Sequence, residues 1–66
     1  MKKATLTDGR IVELERGDFN PFGQIYLAKL VARGLADDND TMCELLGADP
    51  SDIRYGMVHP AVEILP

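Results

Sequence analysis

Hydrophobic and polar residues alternate near the start of the chain, across residues 3–15, KATLTDGRIVELE. Leu6 stands on one arm, Ile11 or Val12 with Leu14 on the other, and Asp8-Gly9 lies between them. This predicts a β-hairpin closed by a type I′ turn, because both turn residues tolerate the positive φ it needs. A two-stranded hairpin is marginal alone in water, so its apolar face needs a cover. The period changes over residues 22–36, FGQIYLAKLVARGLA. Ile25, Leu27, Leu30 and Val31 fall there with Lys29 and Arg33 between them, which predicts an amphipathic helix with its charges outward. Arg33 in the last turn suits the helix dipole, and Gly34 suits the C-terminal cap.

A polar break follows at residues 37–40, DDND. Thr41 and Glu44 are spaced as a capping box, and Met42, Leu45 and Leu46 predict a short second helix ended by Gly47. Asp49 then reads as an N-cap with Pro50 at the first helical position and Asp52 in the first turn. Ile53 is the inward anchor of that turn and Gly56 its stop. The tail VHPAVEILP is compatible with a last turn starting at Pro60 or with an extended run. The expected architecture is one small α+β domain over residues 1–66: an N-terminal β-hairpin packed on one main helix, followed by short helices.

Composition narrows the function. A chain of 66 residues makes at most one domain, and one this small leans on disulfides, a metal, good packing or a partner. Cys43 is the single cysteine, which fits a reducing compartment and leaves no internal disulfide. With His59 the single histidine, the four closed ligands of a structural zinc site are lacking. Packing or a partner remains. The net charge of −4 and the scattered basic residues disfavour a nucleic-acid binder. No apolar run approaches a membrane span, and Lys2-Lys3 are followed by ATLTDGRIVELE rather than an apolar signal core. A cytoplasmic location is expected, with no membrane association, no cofactor and no small-molecule substrate.

Three stretches invite a chemical reading. Arg16-Gly17-Asp18 is the tripeptide of secreted adhesion ligands, yet its setting reads as a joint. Gly17 and Asp18 turn the chain out of the second strand, Asn20-Pro21 turns it again, and Phe19 and Phe22 pin the helix to the hairpin. The acidic band Asp37, Asp38, Asp40, Glu44, Asp49 and Asp52 contains no Lys or Arg. It lacks the central Gly and closing Glu of a calcium loop, which leaves a non-standard cation site as a minor reading beside two charged helix N-termini and a negative face that steers a basic partner. Cys43 has acidic neighbours, which oppose the low pKa a nucleophile needs, so it reads as a small packed hydrophobe. No phosphate-binding glycine loop is present, and an enzyme is not expected.

Two segments carry a resemblance to a family. TLTDGRIVEL at residues 5–14 and CELLGADPSDIRYG at residues 43–56 resemble the small phage tail-assembly chaperones of the E-like, long-tailed type. The correspondence rests on Asp8-Gly9-Arg10 and on Leu45, Gly47, Pro50 and Ile53, and covers about a third of the chain. The chain is shorter than is usual for that family, and HPAVEILP stands where the family tends to carry a further acidic-aromatic helical segment. The resemblance implies a non-catalytic phage or prophage factor that holds a helical tape-measure protein while the tail tube polymerises.

The expected function is therefore a protein-binding module. Leu27, Leu30, Val31, Leu45 and Ile53 are the expected apolar contact face, with Asp37, Asp38 and Asp40 steering the partner. Two alternatives stand beside it. One is a self-associating structural subunit that uses the open edges of the hairpin. The other is a DNA-associated regulator with a helix-turn-helix over residues 41–56, whose reading segment PSDIRYG offers only Arg54 and Tyr55 to DNA.

Overall fold

The computed structural model describes residues 2–65. The chain is mixed α+β. Strands β1 (Lys2–Thr5) and β2 (Ile11–Leu14) form the expected antiparallel hairpin, with Lys2 opposite Leu14 and Thr5 opposite Ile11. Strand β3 (Ile25–Tyr26) leads into helix α1 (Leu27–Ala32), and helix α2 (Asn39–Leu45) follows. Strand β4 (Met57–Val58) pairs with β3, and β5 (Ile64–Leu65) pairs with β1. One sheet thus has the order β2-β1-β5 and the other is the β3-β4 ribbon.

The hairpin turn is not type I′. Leu6 N–H donates to Arg10 O at 2.8 Å and Gly9 N–H to Leu6 O at 3.0 Å, with Gly9 at φ +94°. That is a three-residue loop: a type I turn over Thr7-Asp8 followed by a glycine bulge. The Asp8 carboxylate favours this form, because it accepts from Arg10 N–H at 3.0 Å and from Arg10 Nε at 2.7 Å. The loop also fits its neighbours: Thr7 N–H donates to Leu45 O at 2.8 Å and Arg10 Nη2 to Leu35 O at 3.0 Å. The tail adds to this, with Ala61 and Val62 N–H both 3.2 Å from Leu46 O. The carbonyls left over at the end of α2 are thereby satisfied from two sides.

The expected main helix over residues 22–36 is corrected to α1, six residues long. Asn20 takes the first part away. Its Oδ1 accepts from Phe22 N–H and Gln24 N–H, both at 2.9 Å, while Asn20 N–H donates to Gln24 O and Gly23 N–H to Asn20 O. Residues 20–24 therefore repeat the loop form of residues 6–10. Ile25 and Tyr26, β-branched and aromatic, then take a strand partner in Val58 and Met57. At the other end the helix closes as expected around Gly34, with Gly34 N–H on Val31 O and Leu35 N–H on Leu30 O. Gly47 closes α2 in the same way, onto Glu44 O and Cys43 O through Gly47 and Ala48. Both glycines have φ near +80°, the left-handed form this cap requires.

Helix α2 begins two residues before the expected capping box. Asp38, not Thr41, is its N-cap, accepting from Thr41 N–H at 2.7 Å. Asp49 and Pro50 behave as expected: a 3-10 turn covers Pro50–Asp52, with Asp49 Oδ1 accepting from Ser51 N–H at 2.9 Å. The tail runs extended, and Pro66 lies outside the described residues.

One core joins these elements. Ala4, Leu6 and Leu14 of the hairpin meet Ile25, Leu27, Leu30, Met42, Cys43, Leu46 and Val58, all buried. Each large apolar side chain buried in this way contributes ~1.5–3 kcal/mol. The packing explains why Leu14 faces in and Ile11, on the opposite side of the pleat, stays 61% exposed. Among the described residues no helix is long and apolar enough to cross a membrane.

Candidate protein-binding surface

The Arg16-Gly17-Asp18 stretch is a 3-10 turn, and its aspartate is sealed inside. Asp18 is 1% exposed. Its Oδ1 and Oδ2 accept from Arg33 Nη2 at 2.6 and 2.8 Å, and Oδ2 also accepts from Glu15 N–H at 2.7 Å. An adhesion ligand must present that carboxylate, and here it is consumed by the fold. The stretch is a joint, as its residue types imply. Phe19 serves the joint, half-buried against the core and bridged to Ile25. Phe22 does not: it rides the tip of the 20–24 loop and is 79% exposed.

The same joint opens a cleft of about 960 Å³. That is within the roughly 300–1,000 Å³ span of binding clefts. Its apolar lining is Leu14, Phe19, Pro21, Pro60 and Ile64. The wall exists because β5 brings the tail back beside β1, opposite the 20–24 loop. Lys2, Glu15 and Arg16 stand at the exposed margin. Lys2 Nζ lies 5.5 Å from the centroid of the Phe19 ring, so a cation sits over the aromatic wall. Phe22 projects from between two lining residues, Pro21 and Gly23.

The expected contact face is corrected in part. Leu27 and Leu30 are fully buried, so in this fold no partner reaches them. Val31, Leu45 and Ile53 are half-buried and packed against the core. All five belong to or pack against the shared core, in which α1 and α2 meet each other. Asp37, Asp38 and Asp40 are exposed. Asp38 is engaged in capping, and the Thr41 N–H holds its carboxyl below the usual aspartate range.

Of the two hairpin edges one is covered, while β2 remains the outer strand of its sheet. β5 covers β1, and Arg33 Nη1 reaches Glu13 O on β2 at 3.4 Å. Residues 41–56 do not form a helix-turn-helix, because their second element is the three-residue Pro50–Asp52 turn. A recognition helix needs more than one turn to lie in a groove.

Cys43 is fully buried, and burial pushes its thiol up, helped by Asp52, Asp49, Asp40 and Glu44. His59 is exposed and lines a smaller recess with Gln24, Asp52, Arg54 and Val58. Among the described residues no group of three or more His, Cys, Asp and Glu comes together as a metal ion would need.

One further feature gave no periodic signal. Arg54 and Met57 exchange two backbone hydrogen bonds of 2.9 Å around Tyr55-Gly56, a two-residue loop with φ +55° and +75°. Tyr55 is 95% exposed at its tip. A bulky residue with positive φ is an outlier, and such strain concentrates at functional positions. The only hint in the sequence is Tyr-Gly where Asn-Gly is the relaxed choice.

No protein-family model, curated protein or solved structure matches the chain.

Proposed function

We propose that this protein is a non-catalytic, cytoplasmic protein-binding module whose contact surface is the cleft between the 20–24 loop and the tail. The observation that carries the reading is the pairing of that apolar cleft with Phe22, an aromatic ring left 79% exposed at its side. Apolar grooves mark interaction sites, and aromatic anchors dominate protein interfaces. The cation over Phe19 and the acidic face around α2 add orientation. Nucleic acid, membrane and small-molecule substrates have no part in this reading.

Its most specific form is tail assembly in a phage or prophage, with a helical tape-measure protein as the partner held. The Asp8-Gly9-Arg10 hairpin and the Leu45, Gly47, Pro50, Ile53 segment support that form. A groove lined by aromatic, proline and aliphatic side chains also suits one face of an amphipathic helix. The test is a tagged pull-down from the native host after prophage induction, with partners identified by mass spectrometry. Recovery of a long helical tape-measure protein, lost in Arg16→Glu, is expected. A pull-down that returns neither that protein nor any cleft-dependent partner contradicts it.

A further inference from the structure

We infer that one occupant of the cleft is the Tyr55-Gly56 turn of a second copy of this chain, so that copies join head to tail. The inference rests on the cleft being a protein-binding surface and names a partner for it. Three observations support it.

The first is the turn itself. Tyr55 is 95% exposed, so it fills no site in its own chain, and it is held at φ +55°, a conformation that Asn or Gly adopts more readily. An aromatic so exposed makes little contact with its own fold. It is a compact anchor whose backbone is already fixed by the Arg54–Met57 hydrogen bonds.

The second is placement. β3 and β4 are antiparallel, with Ile25 opposite Val58 and Tyr26 opposite Met57. Gly23 and Pro60, which line the cleft, therefore lie at one end of the ribbon, and the Tyr55 turn lies at the other. At roughly 3.3 Å per residue the two ends are on the order of 15 Å apart. Tip and cleft are different surfaces of one molecule, so unless two copies pair reciprocally, their union is heterologous and propagates into a ring or filament.

The third is charge. The segment leading to the turn carries Asp37, Asp38, Asp40, Glu44, Asp49 and Asp52 with no Lys or Arg among them. Arg54 beside the turn folds back, donating to Ser51 O and Ile53 O. At the cleft margin stand Lys2 and Arg16, with Glu15 as the one opposing charge. Asp49 and Asp52, the acidic residues next to the turn along the chain, complement Lys2 and Arg16 of the next copy, and attraction between them weakens with salt.

The experiment is sedimentation velocity on the full chain across a concentration series, at low and high salt, with two variants. Wild-type protein is expected to show species larger than the 7.3 kDa monomer, growing with concentration and receding at high salt. Tyr55→Asn removes the tip and Arg16→Glu reverses the margin, both at exposed positions. Each alone is expected to weaken association at least about tenfold. Mixed, they retain one good tip and one good cleft between them, and a heterodimer that grows no further is expected. Circular dichroism confirms that both variants are folded. A wild-type chain that stays monomeric throughout overturns the inference, as does undiminished assembly of either variant or failure of the mixture to dimerise. If the wild type is monomeric while Arg16→Glu still loses a foreign partner in pull-down, the cleft reading stands and only its self-partner falls.

Discussion

The Arg33 guanidinium, at the C-terminal end of α1, holds both carboxylate oxygens of the buried Asp18 through Nη2, at 2.6 and 2.8 Å. The same side chain reaches Glu13 O on β2. One residue thus ties the helix, the Arg16–Asp18 turn and the hairpin together, and its partner is the residue that an adhesion motif would have displayed.

Removing either partner leaves an unmatched charge. Arg33→Met strands a carboxylate that is almost wholly buried, whereas Asp18→Asn strands a guanidinium that is 35% exposed. Breaking a buried pair costs about 3–5 kcal/mol, and partial exposure of the arginine reduces the second case. A domain of this size has roughly 3–5 kcal/mol of stability to lose. Arg33→Met is therefore expected to be largely unfolded and Asp18→Asn to keep a measurable urea midpoint. Chemical unfolding followed by circular dichroism checks the order.

Tyr55 stands in a conformation that disfavours it. Tyr55→Asn is expected to stabilise the monomer by about 1 kcal/mol, because Asn accepts positive φ at lower cost. For a chain this short that is a rise in Tm of roughly 4–8 °C. The melt is run dilute and at high salt, so that lost association does not mask the gain. A fall in Tm would show that the ring packs usefully on its own chain.

Acid stability follows from the caps. Hydrogen bonds from backbone N–H groups hold Asp8, Asp38 and Asp49 below the ordinary aspartate value of 3.8, the donors being Arg10, Thr41 and Ser51. The folded form then binds fewer protons than the unfolded form near these values. Their stabilisation is complete above 3.8 and is lost as pH falls through the lower folded values. Thermal melts from neutral pH down to the acid limit are expected to be flat above that point and to decline below it. Asp38→Asn with Asp49→Asn should flatten the decline.

Cys43 is inaccessible, and its thiol is pushed upward first by burial and then by the surrounding carboxylates. Native protein at mildly alkaline pH is expected to resist a thiol-alkylating reagent and to react stoichiometrically once denatured. Mass spectrometry of the intact chain reads both states. Rapid native labelling would place the thiol at the surface.

Local signals in the sequence carried the hairpin, the Asp49-Pro50 turn and the two glycine-closed helix ends, because each depends on residues within a few positions. They failed where a distant segment decides. Ile25-Tyr26 fit a helical period as well as a strand, and only pairing with Met57-Val58 settles it. The start of α2 was misplaced for another reason: Thr41 and Glu44 have capping-box spacing, but Asp38 accepts from Thr41 N–H and caps the helix. The cleft was invisible because it needs the tail to return beside β1. Its lining nonetheless comes largely from the stretch RGDFNPFG, whose turn residues were readable as a joint. Leu27 and Leu30 were expected in a contact face, but both are buried in the core that α1 shares with α2 and the hairpin.

The most direct test of the cleft as a protein-binding surface is photo-crosslinking in the native host. A photoreactive phenylalanine replaces Phe22, and the same group at the exposed Ile11 serves as the control. Adducts from position 22 are expected to join a long helical tail protein or the segment around Tyr55 of a second copy, to exceed those from position 11, and to disappear with Arg16→Glu. Equal adducts from both positions, or adducts indifferent to Arg16, would contradict the account.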